Sequence, residues 1–189
     1  MKEIFFAGGC FWGTEHFFKQ IKGVTFTEVG YANGRQDWRE ALGLNADEVA
    51  DHGAGPGYKQ VCTDLTGFAE TVRVQYDPDV ISLDFLLQMY FAAIDPTSLN
   101  RQGHDEGTQY RTGVYYVDAE DVPAIRKALD TEQEKYAEPI VVELLPLKDF
   151  YRAEEYHQDY LDKNPKGYCH LPESLFEFAR KAKEQKPAE

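Results

Sequence analysis

The sequence predicts an α/β protein: a two-layer sandwich of helices on a mixed sheet, with a ferredoxin-like core and a coil-rich C-terminal segment. Two observations predict it. Stretches with a strand's pattern alternate with stretches of helical spacing through most of the 189 residues. Their order, strand–helix–strand and then strand–helix–strand again, is that of a split βαβ core with additions. The length suits one domain, residues 1–189, with a sizeable core, and no repeat or low-complexity tract interrupts it.

"EIFFAGG" reads as a short buried strand, and "CFWGTEHFFKQI" as a helix with Phe11, Phe17, Phe18 and Ile21 near helical spacing. "VTFTEVGYA" alternates and is predicted as a strand. Residues 33–57 lose periodicity and are rich in glycine, so they read as a long loop, with a short helix around "NADEVAD". "FAETVRVQYDP" is a strand with Phe68, Glu70, Val72, Val74 and Tyr76 on one parity. "SLDFLLQMYFAAI" is a helix capped by Ser82. "NRQGHDEGTQYR" is polar coil, and "TGVYYVD" a strand. A helix follows with Pro123 in its first turn, then the strand "IVVELLPL". "RAEEYHQDYLDKN" reads as a short helix, "PKGYCHLP" as coil, and "PESLFEFARKAKEQK" as a final helix that frays at its end.

Composition narrows the function. The chain carries 33 acidic and 20 basic residues, a net charge of −13, which disfavours nucleic acid and anionic membranes as partners. No apolar run approaches the roughly 18 residues of a membrane span. Three cysteines, Cys10, Cys62 and Cys169, without a C-x-x-C pair, fit a reducing cytoplasm. The five histidines form no metal-ligand pattern, so no metal is expected.

Cys10 stands out, behind two glycines and ahead of two aromatics in "FFAGGCFWG". It could be a lipoprotein acylation site, a buried structural thiol or a reactive thiolate. The apolar stretch before it is too short for a signal peptide, which needs roughly 7–15 residues. Strand–Gly-Gly–Cys–helix places the thiol at a helix N-terminus, where free N–H groups and the helix dipole favour an anion. That predicts a lowered thiol pKa and favours the reactive reading. Cys62, in "YKQVC", reads as a structural cysteine within an element.

"GCFWG" (9–13) resembles the signature of the A-type peptide methionine sulfoxide reductases. "GFAETVRVQYDP" (67–78), "QGHDEGTQYR" (102–111) and "AEEYHQDYLDKNPKGYC" (153–169) resemble three further motifs of that family, in the same order and over nearly the whole chain. The resemblance implies the mixed-sheet fold reached above and an enzyme that reduces methionine S-sulfoxide, free or within oxidised proteins. It implies Cys10 as the attacking thiolate, Glu70 as the acid, and Tyr58 and Tyr110 as donors to the sulfoxide oxygen. Phe11 and Trp12 correspond to the apolar wall for the S-methyl group, and Asp105 to an acidic residue near the mouth. Cys169, in the C-terminal segment 165–189, corresponds to the cysteine that resolves the Cys10 sulfenic acid as a disulfide. Thioredoxin or another dithiol would then supply electrons, with no bound cofactor. A monomer is expected.

Each residue also has a plainer reading. Phe11, Trp12 and Tyr110 could be packing residues, Glu70 a solvent-facing strand residue and Cys169 an inert thiol. His157, within a matching motif, reads as structural support. Two departures stand out: Phe68 replaces the family's common His, and residues 33–57 form an insertion-like loop expected to border the site and bias substrate choice. Outside the family, a Cys-His hydrolase using His157 or His104 would show an acyl-enzyme burst and need no reductant. A binding module for methyl-thioethers would survive Cys10→Ser.

Overall fold

A computed structural model of the chain describes residues 1–45 and 55–185. β1 (Lys2–Gly8) carries the apolar run Ile4–Ala7 and is buried on both faces. A strand inside a sheet buries such a run on both faces while its backbone groups stay paired to its neighbours. It lies between β3 (Ala69–Tyr76) and β6 (Thr112–Tyr116), antiparallel to both, with Phe6 opposite Val72 and Val114. β2 (Val24–Ala32) pairs with the far side of β3 and sets Tyr31 opposite Glu70. With α1 (Phe11–Lys19) and α4 (Leu83–Ala92), these strands make the split βαβ core, in spatial order β6-β1-β3-β2.

Both core helices cover one face. Phe6 is the hinge of that packing, stacked on Phe18 of α1 at 4.7 Å and on Tyr90 of α4 at 4.8 Å. Each aromatic so buried contributes roughly 1.5–3 kcal/mol. The opposite face carries small residues, Ala7, Ala32 and Ala69, beneath Phe5, Tyr115 and Phe150. Ser82 caps α4 as expected, its Oγ accepting from the Phe85 N–H at 3.1 Å.

The additions extend the sheet at both edges. After β6, α5 (Val122–Gln133) crosses over to β7 (Glu143–Pro146), the one parallel partner in the sheet. β8 (Phe150–Arg152) pairs with β2 at the other edge. The sequence reading missed β8, since three residues are too few to show alternation. The predicted coil at 100–111 holds a two-rung hairpin, β4 (Arg101–Gln102) and β5 (Asp105–Glu106), followed by a 3-10 turn at Thr108–Tyr110.

Within the stretch read as a loop, α2 (Trp38–Ala41) docks its buried Trp38 edge-on to Phe68 at 5.8 Å, and α3 (Tyr58–Val61) follows. The short helix expected around 45–51 lies outside the described residues apart from Asn45. The helix predicted at 152–164 is split: a 3-10 turn at Glu155–His157 and α6 (Tyr160–Lys163) are separated by Asp159, whose φ of 51° is left-handed. Gln158 beside it does a strand's work. Its Oε1 accepts from the Val29 N–H at 3.0 Å, and its Nε2 donates to the Val29 carbonyl at 2.9 Å. The last helix, α7 (Glu173–Lys181), packs on α1.

Candidate active site

Between the end of β1 and the first turn of α1, Gly9 adopts φ +86°, a conformation that disfavours any side chain. A Cβ there would also lie 2.8 Å from Gln102. The turn delivers Cys10 to the N-cap of α1, where the residue is 7 % exposed. The next backbone N–H, that of Phe11, donates to Glu70 Oε1 at 3.2 Å. Glu70 is the second residue of β3, fully inside the protein, with Phe68, Val72 and Val74 on its own parity. One orphan donor of the helix terminus is thus satisfied by a carboxyl from the neighbouring strand.

Cys10, Glu70, Phe11, Trp12, Tyr58, Tyr110, Asp105 and Tyr168 line one cavity of about 140 Å³. Seven of these eight residues are those singled out in the sequence. Phe11 and Trp12 form an apolar wall. Trp12 is held from both sides: its ring stacks on Tyr160 at 3.6 Å and its Nε1 donates to His157 Nδ1 at 2.9 Å. His157 is a hub, with its ring 5.1 Å from Phe11 and 4.8 Å from Tyr58. Accepting from Trp12 at Nδ1 places its proton on Nε2, 3.4 Å from a Glu154 carboxylate oxygen, and burial keeps the ring neutral. That geometry occupies His157 structurally and leaves it no free base for Cys10.

The electrostatics follow from burial. Desolvation, opposed by the Phe11 N–H and reinforced by Asp105 and Glu154, pushes the Glu70 carboxyl up from 4.5 to about 8. Glu70 is therefore mostly protonated at neutral pH. The hydroxyls of Tyr58 and Tyr110 are pushed up by burial, with Glu70 and Cys10 nearby, so both remain donors. The thiol corrects the sequence reading. Burial first, and then Glu70, raise the Cys10 pKa well above the usual thiol value, and the Trp12 backbone N–H only partly opposes them. The helix terminus is real, but desolvation outweighs it.

The eighth lining residue, Tyr168, was missed. Its hydroxyl donates to the Asp105 carboxylate, 3.1 Å from Oδ1 and 3.0 Å from Oδ2, closing the cavity from the C-terminal segment. Its place beside Cys169 in "GYC" was the only available signal.

Cys169 itself does not line this cavity. Its Sγ lies against Gly13 of α1, 3.0 Å from where a Cβ would be, and faces a separate hollow with His16, Leu161 and Phe176. Both thiols are free, so a Cys10–Cys169 bond requires the two sulfurs to be brought together. Cys62 differs from its structural reading: it ends α3, exposed, and its thiol meets the Tyr58 hydroxyl. Phe68 is fully buried between Trp38 and Tyr151 and does not reach the cavity. Residues 33–45 and 55–57 do not line the cavity either, although Tyr58, next in sequence, does; the rest of that stretch, 46–54, where the expected border role also falls, lies outside the described residues. Among the described residues no cluster of three potential metal ligands occurs. A larger groove of about 660 Å³ between α4, α5 and α7 contains no thiol and no histidine.

The family described as peptide methionine sulfoxide reductase matches residues 2–41 and 49–188. The chain is 55% identical over 175 residues to the peptide methionine sulfoxide reductase MsrA of Clostridium acetobutylicum, covering 93% of this chain and 98% of that one. Reduced Mxr1 from Saccharomyces cerevisiae superposes with a TM-score of 0.79 at 41% identity, over 89% of this chain and 88% of the yeast chain. The same yeast protein in complex with Trx2 gives 0.54 at 28% identity, over 84% of each chain.

Proposed function

The chain belongs to the peptide methionine sulfoxide reductase family and reduces methionine S-sulfoxide with thiols, and from that premise we propose how its own residues divide the work. The observation that carries the reading is the cavity itself. A buried thiol, a carboxyl that holds its proton and two tyrosine hydroxyls meet against an aromatic wall.

The S-methyl group of the substrate packs on Phe11 and Trp12, where sulfur and methyl groups interact well with ring faces. The sulfinyl oxygen then points to Glu70, Tyr58 and Tyr110. A sulfoxide sulfur is a poor electrophile until its oxygen accepts a proton or strong hydrogen bonds. Glu70 supplies the proton and the tyrosines hold the developing hydroxyl. The Cys10 sulfur attacks the sulfinyl sulfur as its own proton is drawn off to the Glu70 carboxylate. The oxygen ends on Cys10 as a sulfenic acid and methionine leaves, so protons and electrons balance without any external acid. Because thiol and carboxyl are both protonated at rest, the site is inert until a sulfoxide arrives to take a proton.

Asp105 and Tyr168 orient the substrate at the mouth. Cys169 attacks the sulfenic sulfur to give a Cys10–Cys169 disulfide, which thioredoxin or another dithiol reduces; the Trx2 complex of the yeast relative supports that electron source. No bound cofactor takes part. Substrates are free methionine sulfoxide and oxidised proteins. The chain works as one monomeric domain in the cytoplasm, a compartment that suits its three cysteines without a C-x-x-C pair.

The test is to incubate the protein with a racemic methionine sulfoxide peptide and dithiothreitol and to separate the epimers. Loss of the S epimer alone, abolished by Cys10→Ser, is the expected result. Persistence of both epimers would overturn the reading.

A further inference from the structure

The geometry points to His170 as the base that takes the proton of Cys169 when that thiol attacks the oxidised Cys10. This rests on the reading above, in which Cys10 becomes a sulfenic acid and Cys169 resolves it.

His170 is anomalous in the present arrangement. Both ring nitrogens are buried, and neither has a hydrogen-bond partner. Buried polar atoms are nearly always paired, and one left unpaired costs about 1–3 kcal/mol, so an orphaned imidazole calls for an explanation. Its position supplies one. The ring lies against the turn that carries Cys10, in a cradle made by two glycines. A Cβ on Gly9 would sit 3.1 Å from Nε2, and one on Gly13 would sit 3.0 Å from Nδ1. The same point on Gly13 lies 3.0 Å from Cys169 Sγ. Imidazole and thiol therefore meet the first turn of α1 at one place, over Gly13, and any larger residue at Gly9 or Gly13 would expel the ring.

The surroundings suit a proton acceptor. The groups facing the ring are the Gly8 carbonyl, which falls short of a hydrogen bond, the Asp105 carboxylate from β5, Gln102 from β4 and the Cys169 thiol. None of these groups is cationic. Burial lowers the ring's pKa, with Asp105 opposing, so it is neutral at physiological pH. Cys169 has the opposite problem. Burial, Glu173 and Asp105 push its thiol up, so unaided it is a weak nucleophile at neutral pH.

The step balances within the site. His170 removes the Cys169 thiol proton. The thiolate attacks the Cys10 sulfenic sulfur, the sulfur–sulfur bond forms and the sulfur–oxygen bond breaks. The departing hydroxide takes the proton back from the imidazolium and leaves as water. Neither an oxidant nor a reductant enters this step.

The test is a single turnover with an S-sulfoxide peptide and no reductant, in wild type, His170→Gln and His170→Ala. Methionine release reports the first step. Loss of free thiol, with dimedone trapping of the sulfenic acid, reports the second. We expect one equivalent of methionine at the wild-type rate in all three proteins. Disulfide formation should slow about 100-fold at pH 7 in both variants, the size of a typical general-base effect. That deficit should close as pH rises toward the ionisation of the Cys169 thiol, and added imidazole should restore His170→Ala. Wild-type disulfide formation in the variants would overturn the proposal. So would a slowing that is equal at every pH and untouched by imidazole, or loss of the methionine release itself in the variants. Absence of methionine release in wild type would instead overturn the reading of Cys10 on which the proposal stands.

Discussion

Glu70 shows how one residue's environment sets both activity and stability. Its carboxyl is held at about 8 instead of 4.5, chiefly by burial. The first chemical step of the wild type should therefore fall as pH rises through 8, because the proton donor is lost. Glu70→Gln keeps an acceptor for the Phe11 N–H but has no proton to give. Its single-turnover rate should drop by about 10²–10⁴, without the decline at pH 8; an unchanged rate would remove Glu70 from the proton path. Stability runs the other way. Below pH 4.5 the carboxyl is neutral in both states and exacts nothing. Between 4.5 and 8 the unfolded chain ionises while the folded one does not, so stability is lost as pH rises. Glu70→Gln should then exceed wild type by about 3 kcal/mol near pH 7, with the difference vanishing below 4.5 in urea titrations. Cys10 is the companion case. With its thiol raised by burial, alkylation by iodoacetamide should be slow at pH 7 and accelerate above pH 9. A rate already at its plateau at neutral pH would show the helix terminus winning instead.

At the level of elements, the site depends on how α1 begins and on what holds the segment that follows β8. The Gly9 turn is one support: Gly9→Ala meets both a positive φ and the Gln102 side chain. It should destabilise the fold by more than about 1 kcal/mol and displace Cys10, seen as lost turnover in the fraction still folded. Gln158 is the other. It replaces a neighbouring strand for Val29 and also donates to the Ala153 carbonyl at 3.0 Å. Gln158→Ala would strand two backbone groups, the Val29 N–H and the Ala153 carbonyl, at about 1–3 kcal/mol each, while the Val29 carbonyl keeps the Ala153 N–H at 3.0 Å; thermal unfolding should detect the loss despite the side chain's distance from the chemistry. These contacts fix the turn that carries His157, and His157 in turn orients Trp12. The sequence reading saw "AEEYHQDYLDKN" as one helix because its spacing permits one. Asp159 in the left-handed region breaks it, and that break frees Gln158 to reach β2.

At the scale of the whole molecule, the two thiols face different hollows, Cys10 the cavity and Cys169 the one beside His16 and Phe176, and catalysis requires them to meet. Oxidation by substrate without reductant should therefore raise amide exchange across residues 165–171 and break the Tyr168–Asp105 contact, while the six-stranded sheet stays protected. Equal protection before and after turnover would mean that Cys169 is not the partner. The division between sequence and structure follows the range of the interactions. The βαββαβ order, the Ser82 cap and the Gly-Gly turn before Cys10 rest on local patterns a few residues long, so they were legible in the letters. The family motifs likewise brought seven cavity residues to notice. What only tertiary structure decided is everything set by distance in space. Depth of burial turned Cys10 from an expected thiolate into a protonated thiol. Packing placed Trp38 on Phe68, away from the cavity. It also put Tyr168 across the mouth, set Cys169 against Gly13 and left both ring nitrogens of His170 buried without a hydrogen bond. Desolvation and long-range contact depend on which remote segments exclude water from a group, and no window along the chain contains that information.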